Sequence, residues 1–510
     1  MSTSSIIILI VIVAYLLMML GIGISFSRKN NSVDDFYLGG RKLGPFVTAM
    51  SAEASDMSSW LLMGLPGVAY LTGVCDAAWT AIGLAVGTWL NWFLVARRIR
   101  HYSQELGAIT FPDFISKRYH DEKNILTCIA AVVIVIFFIP YTASGFAACG
   151  KLFASLFGVN YLTAMIICAV VIVAYTTLGG FLAASTTDFI QSIIMTIALV
   201  VVLSYGTHMA GGVDAVVNNA KSLEGYLSMS ATFNAESGMA QPYGFIKIIS
   251  TLAWGLGYFG MPHILLRFMA IGDEKKLVLS RRIASIWVVI SMAFSILIGV
   301  IGLAMSKAGA IDVLNGSDSE TVIVKISALL SSDGAVFAVV AGLILAGILA
   351  ATMSTADSQL LAAASSVSQN LIADFGKVNL DKKKSLVVAR STVVAISIVA
   401  VIIARDPSSS VFGIVSFAWA GFGAAFGPVI LLALFWKKSN KNGALAGMIA
   451  GGAMVFIWKY LVRPLGGGFD IYELLPAFLV ALAANIIVSL CTGKPEDAII
   501  KEYEEAIGTK

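Results

Sequence analysis

The sequence predicts an all-α integral membrane protein with about thirteen transmembrane helices. Three observations carry that class. Hydrophobic residues fill 58% of the 510 positions and charged residues only 13%, against about 25% charged in a soluble domain. Apolar runs of roughly 20 residues recur along the whole chain, each long enough to cross a hydrocarbon core about 30 Å thick. Basic residues also gather in alternate loops. With the N-terminus outside, the inward loops hold Arg28, Lys29, Arg41 and Lys42, then Arg97, Arg98, Arg100, Lys117, Arg118 and Lys123, then Lys275, Lys276, Arg281 and Arg282, then Lys377, Lys382, Lys383, Lys384 and Arg390, and last Lys437, Lys438 and Lys441. The outward loops hold mainly Lys151, Lys221, Lys307, Lys325, Arg405 and Arg463. The positive-inside rule then places the C-terminus in the cytoplasm. The same rule accounts for the basic loops without a nucleic-acid partner.

The spans fall roughly at 5–26, 44–71, 74–95, 124–147, 158–179, 185–209, 243–269, 283–306, 334–369, 386–404, 411–435, 443–462 and 473–491, and are numbered helices 1 to 13. Helix 1, "SIIILIVIVAYLLMMLGIGIS", is too long for a signal peptide and lacks a small-residue cleavage site, so it stays in the membrane. Helix 2 contains "SAEASDMSSWLLMGLPG", which sets Glu53, Asp56 and four serines beside Gly64, Pro66 and Gly67. Proline removes a backbone donor and clashes with the preceding turn, so a break is expected there. In the inner loop 96–123, Phe111, Phe114, Ile115 and Tyr119 sit at near-helical spacing; a short helix on the cytoplasmic face and a plain solvated loop both fit. Helix 6 carries Asp188 near its predicted inner end, where a cap and an ion role are both open. Two outer loops, 210–242 and 307–333, are long. Helix 7 carries "AWGLGYFGMPH", a second mixture of aromatics, glycines and one proline deep in a span.

Helices 2 and 7 are five spans apart, and five is odd, so a second block of five would be inverted relative to the first. Matched interruptions in inverted halves are the sequence mark of a secondary transporter's binding site. Unwinding frees carbonyls, which are tolerated where they line a cavity, and their neutral oxygens suit a monovalent cation. Freed N–H groups accept a carboxylate. Helix 9 adds "LAGILAATMSTADSQLLAAASS", where Ser354, Thr355, Asp357 and Ser358 cluster in an otherwise apolar span. Intramembrane carboxylates are costly and mark function. The tail "KPEDAIIKEYEEAIGTK" reads as a surface helix. The five cysteines have no paired spacing and read as small buried hydrophobes. The four histidines have no metal-ligand spacing, and His263 reads as a satisfied structural group. No Ser-His-Asp, metal or nucleotide motif points to an enzyme, and no charged ring points to a channel.

At these residues the chain resembles the sodium:solute symporter family, closest to its bacterial sodium/proline branch. The resemblance runs over nearly the whole length and includes "YLGGRKLGPFVTAMSAEASDMSSWLLMGLPG", "YTASGFAACGKLFASLFG", "STLAWGLGYFGMPHILLRFMA", "ILAATMSTADSQLL" and "WAGFGAAFGPVILL". It implies a LeuT-type fold of two inverted five-helix repeats, with one helix before and two after. The corresponding units are 1–43, the repeats 44–209 and 243–435 with the outer loop 210–242 between them, and 436–510 with the last two helices and the tail. It implies sodium-coupled import of L-proline across a bacterial inner membrane by alternating access. Na+ is the coupling ion, with no cofactor and no obligate protein partner beyond the lipid bilayer. Another small solute on the same fold (pantothenate, a sugar or a sialic acid) is the alternative.

Carried over by residue, the resemblance implies a sodium site from the carbonyls of Ala54, Met57 and Ala351 and the hydroxyls of Ser354 and Thr355. Asp56 would support it, and Arg41 would act at the inner mouth. The proline positions would be Ser58, Trp60, Tyr141, Trp254, Tyr258 and Pro262. Trp254 and Tyr258, four apart, are expected on one helix face. Glu53 departs from the family pattern, which has a small residue there; it faces an aqueous vestibule or pairs with a basic residue such as Arg41. Asp188, Asp357 and Ser358 stand where some members build a second sodium site, and a carboxylate in place of a hydroxyl either strengthens that site or makes a structural hydrogen bond.

Overall fold

A computed structural model describes residues 2–27, 33–378, 381–407 and 410–508. Arg28 and Lys29 of the inward basic set, and the side chain of Lys382, lie outside the described residues. Ten helices among the described residues are long and apolar enough to cross a membrane, and the bent pair Phe245–Gly260 and Pro262–Ala270 makes an eleventh span. Tyr161–Met209 is one of the ten, yet Gly180 (φ 63°, ψ −165°) divides it into helices 5 and 6. The remaining span is helix 2, built from Pro45–Ser59 and Leu65–Thr72, whose carboxylates and serines lower its hydropathy. Thirteen spans result, the number predicted from the sequence.

Local chemistry fixes the helix ends. Side chains of Asn160, Asp381, Ser410 and Asn440 accept from N–H groups three residues on, at the starts of helices 5, 10, 11 and 12. Each satisfies a donor that a first turn leaves open. Between helices, small residues permit close approach. A Cβ on Gly87 of helix 3 would lie 2.3 Å from the Gly255 carbonyl oxygen of helix 7, so these two backbones touch.

The two interruptions differ. Helix 7 breaks where its proline predicts: a 3-10 segment Ala253–Gly260 leads to an extended Met261, Pro262 opens Pro262–Ala270, and the halves bend by 47°. Helix 2 breaks upstream of its proline, at Ser58 (φ 44°, ψ −171°), followed by a π-helical turn Trp60–Gly64. Pro66 lies in the first turn of Leu65–Thr72, where a missing N–H costs nothing.

The loops hold more structure than expected. The outer loop 210–242 carries a helix, Val213–Lys221, and a hairpin pairing Ala231–Asn234 with Met239–Pro242. The inner loop forms the helix Phe111–Arg118, capped by the Thr110 side chain, and its apolar residues are buried in the protein. The tail helix Asp497–Gly508 docks on the C-terminal end of helix 11, where Tyr503 Oη donates to the Leu434 carbonyl at 3.2 Å. Cys75, Cys149 and Cys168 are buried as expected, whereas Cys128 is half-buried and Cys491 exposed. His263 is buried and lies edge-on to Phe138.

Candidate functional site

The break in helix 2 faces helix 9. Ser354 Oγ donates to the Ala54 carbonyl at 2.8 Å and to the Ala351 carbonyl at 3.1 Å. Thr355 Oγ1 lies 3.5 Å from the Ala54 carbonyl and 3.2 Å from that of Ala351. Four buried oxygens from two helices thus converge, all neutral. A hydroxyl has lone pairs as well as a proton, so Ser354 and Thr355 can turn from donating to carbonyls to ligating a cation. Met57 is buried next to the break, and the Trp60 N–H is directed at the Met57 and Ser58 carbonyls.

Asp56 joins this cluster to helix 7. Its Oδ2 accepts from Tyr258 Oη at 2.6 Å, and its backbone carbonyl accepts from Tyr141 Oη at 3.1 Å. Ser58 Oγ accepts from the Trp60 N–H at 3.0 Å, which holds the break open in one geometry. Beyond Ser58 lies a wall of rings. Trp60 and Trp254 have centroids 5.8 Å apart, Trp254 and Tyr472 stack at 5.0 Å, and Phe412 lies 6.1 Å from Trp60 and 5.5 Å from Trp254. The indole Nε1 of Trp60 is buried with no protein partner, so it is a donor suited to an acceptor on a bound molecule. Pro262 is buried at the helix 7 break.

The expected shared face of Trp254 and Tyr258 assumed an α-helix. The segment is 3-10, in which residues three apart align. The two rings are joined instead by Trp419, 6.3 Å from Trp254 and 5.1 Å from Tyr258, whose Nε1 donates to the Trp254 carbonyl at 2.8 Å. A Cβ on Gly257 would lie 1.9 Å from that nitrogen, so only glycine admits the indole. Trp419, Phe412 and Tyr472 were missed by sequence reasoning. A tryptophan and two aromatics in or beside apolar spans give no local signal that sets them apart from packing.

The end of the bundle that carries the loop 307–333 is covered. Glu320 accepts from Lys151 Nζ at 2.8 Å, from Ser410 Oγ at 2.9 Å and from the N–H groups of Val411 and Phe412 at 3.2 Å each. A carboxylate at a helix N-terminus meets open donors and the positive end of the dipole. It pins the first turn of helix 11 and holds Phe412 over Trp60 and Trp254.

At the opposite end of the bundle, Arg41 donates to the carbonyls of Met269 and Ala108 at 2.6 Å each, and to the Ser103 hydroxyl and carbonyl at 3.2 and 3.1 Å. It ties these ends of helices 3 and 7 together. Glu53 matches neither expectation. It is 1% exposed, which excludes an aqueous vestibule, and its Oε1 accepts from an indole, Trp92 Nε1 at 3.0 Å, and not from a basic residue. Asp188 is a buried member of helix 6 and not an end cap. It pairs at 3.2 Å with Arg267, a buried arginine of helix 7 that sequence reasoning did not single out. Arg267 also reaches Ser358, whose hydroxyl donates to Asp357 at 3.0 Å.

The chain is similar to known proteins over most of its length. The model of the sodium:solute symporter family matches residues 36–451. The sodium/proline symporter of Escherichia coli K12 is 40% identical over 499 residues, covering 96% of this chain and 94% of that protein. The osmoregulated proline transporter OpuE of Bacillus subtilis is 41% identical over 481 residues, 94% of each. Among solved structures, a Na+-coupled sialic acid symporter in a substrate-bound outward-open state aligns with a TM-score of 0.77 at 17% identity, covering 96% of this chain and 99% of that one. MhsT in complex with L-phenylalanine aligns with a TM-score of 0.52 at 13% identity, covering 89% and 99%. At those identities the likeness is one of fold.

Proposed function

The chain belongs to the sodium:solute symporter family, and from that premise we propose that it carries L-proline into the cell together with Na+ by alternating access. The observation that carries the reading is the 40% identity to sodium/proline symporters along 96% of the chain. It is a transporter and not an enzyme, a multi-pass protein of the inner membrane, with Na+ as coupling ion and no cofactor. Saturable uptake of radiolabelled proline into proteoliposomes tests it: uptake driven by an imposed sodium gradient is expected, and uptake indifferent to sodium overturns it.

In this reading Ala54, Ala351, Ser354 and Thr355 hold the sodium ion, with the Met57 carbonyl as fifth ligand once the turn at Ser58 adjusts. The convergence of Ser354 and Thr355 on the Ala54 carbonyl supports that assignment. Asp56 couples ion to substrate through Tyr258. Ser58, Trp60, Tyr141, Trp254, Tyr258 and Pro262 line the proline pocket, with Trp419 and Phe412 added. The pyrrolidine ring packs on the aromatic faces, and the substrate carboxylate meets the N–H groups at the break and Trp60 Nε1. Arg41 links the inner mouth to coupling. The repeats are read as 44–209 and 243–435, set between 1–43 and 436–510 with the outer loop 210–242 joining them. The N-terminus lies outside and the C-terminus inside, supported by the basic inner loops.

A further inference from the structure

Helices 7 and 9 run on past the ion and substrate groups toward the end of the bundle that Arg41 ties. Little more than a turn beyond Pro262 stands Arg267, and one turn beyond Ser354 stands Ser358. A narrow cavity begins between them. Arg267, Ser358, Leu361 and Ser365 line it, and it reaches Tyr37 and Thr110 at its far end. Only about 10 Å³ of it is open to a water-sized molecule, so proline does not pass while it keeps this shape.

Two segments held against helix 9 close the far end. One is the short helix Val33–Leu38 that precedes helix 2, and the other is the start of the loop helix Phe111–Arg118. Tyr37 Oη lies 2.6 Å from Ser368 Oγ. Ser368 gives its own proton to the Ala364 carbonyl at 2.7 Å, so the tyrosine is the donor. Thr110 Oγ1 accepts from Asn370 Nδ2 at 3.1 Å. Arg41, four residues after Tyr37, joins the two segments through the Ala108 carbonyl. Tyr37, Thr110, Ser368 and Asn370 are all buried.

Two further features fit this closure to a part that opens. Phe36, Tyr37, Ala184, Leu361 and Ala389 form a small hydrophobic cluster separate from the main core. Parting it disturbs little of the bundle's packing. Ser368 and Asn370 also stand in Ser366–Phe375, where helix 9 widens into π-helical turns. Such turns are rare and are found mostly at functional sites.

We propose that this cavity is the closed exit route for proline, and that the Tyr37–Ser368 and Thr110–Asn370 bonds are its gate, broken and remade once in each cycle. This rests on the sodium-coupled proline reading and on its placement of this end in the cytoplasm. The test uses full-length Ser365→Cys protein in membrane vesicles of either orientation. A membrane-impermeant methanethiosulfonate is added, and modification at residue 365 is read by peptide mass spectrometry. Ser365 is buried, and its hydroxyl donates to the Ala362 carbonyl of its own helix, so cysteine is a mild exchange; Ala362→Cys, on the same cavity, replaces it if it fails to fold. Labelling is expected in inside-out vesicles when sodium and proline are both present, and not in right-side-out ones. Tyr37→Phe and Ser368→Ala each delete the gate bond without adding bulk and should speed that labelling about fivefold. The double variant should label no faster than the faster single variant, because both changes remove the same bond. Unchanged rates in both single variants, or additive acceleration in the double, would overturn the gate pair. Labelling only from right-side-out vesicles, or none in a variant that still takes up proline, would overturn the exit route and leave proline–sodium symport intact. Wild-type vesicles without sodium-dependent proline uptake would instead overturn the functional reading.

Discussion

At the scale of single residues, the proposed site divides into groups assigned to the ion and groups assigned to the substrate, and substitutions should separate them. Ser354→Ala and Thr355→Ala each remove one hydroxyl, add no bulk and leave two carbonyls in place. Each is expected to raise the half-saturating sodium concentration about five- to tenfold, since a lost polar contact of this kind is worth on the order of 1 to 1.5 kcal/mol. Wild-type sodium dependence of uptake in both variants would remove the ion site from helix 9. Trp254→Ala opens the stack with Trp60, Phe412 and Tyr472 and should weaken proline binding at least about tenfold. Sodium binding without proline should survive, and calorimetry on the purified variant separates the two. Asp56 tests the link between them. Asparagine keeps an acceptor for Tyr258 Oη and loses the charge; glutamate keeps the charge and crowds the turn. If the charge offsets the ion, Asp56→Glu keeps some sodium-dependent uptake and Asp56→Asn almost none. The reverse order would make the 2.6 Å bond to Tyr258 the property that matters.

At the scale of elements, the two broken helices are where sequence and structure agree in kind and differ in place. Hydropathy, basic-loop asymmetry and the glycine–proline clusters made thirteen spans and two interruptions legible. The position of the helix 2 break was not legible, because Pro66 fits harmlessly in a first helical turn while Ser58 takes a positive φ that no residue pattern announces. Arg267 was not legible for a similar reason. It lies inside the predicted span 243–269 and has no charged neighbour in sequence to pair with; its partner, Asp188 of helix 6, is 79 residues away and is brought to it only by the fold. The ring wall was half legible: Trp254 and Tyr258 were identified, whereas Trp419 reaches them only because Gly257 leaves room. These particulars give a contrast. Pro66→Ala should leave proline uptake within about twofold of wild type, since its ring is not what unwinds the helix. Ser58→Val, a β-branched residue forced to φ 44°, should abolish uptake. Loss of uptake in Pro66→Ala at normal expression would return the break to the proline.

At the scale of the whole molecule, one end of the bundle is closed by Glu320 at the first turn of helix 11 and the other is tied by Arg41 and by the Arg267 cluster. Transport must release these ties in turn, and what drives the cycle inward is charge and concentration. Proline is a zwitterion at neutral pH, so a cycle with one sodium ion carries one net positive charge. A potential of about 100 mV, negative inside, contributes about 2.3 kcal/mol per charge, and a tenfold sodium gradient adds about 1.4 kcal/mol. Together they sustain a proline gradient of roughly 500-fold. The two terms are separable. With the sodium gradient held constant in proteoliposomes, imposing about 100 mV by a potassium diffusion potential should raise the limiting proline gradient about 50-fold. A carrier that moved no net charge would show no change, and one moving two charges would show a rise of about 2,500-fold. The expected value therefore requires the buried charges of helices 2, 6, 7 and 9 to stay with the protein through the cycle, with sodium as the one charge that crosses.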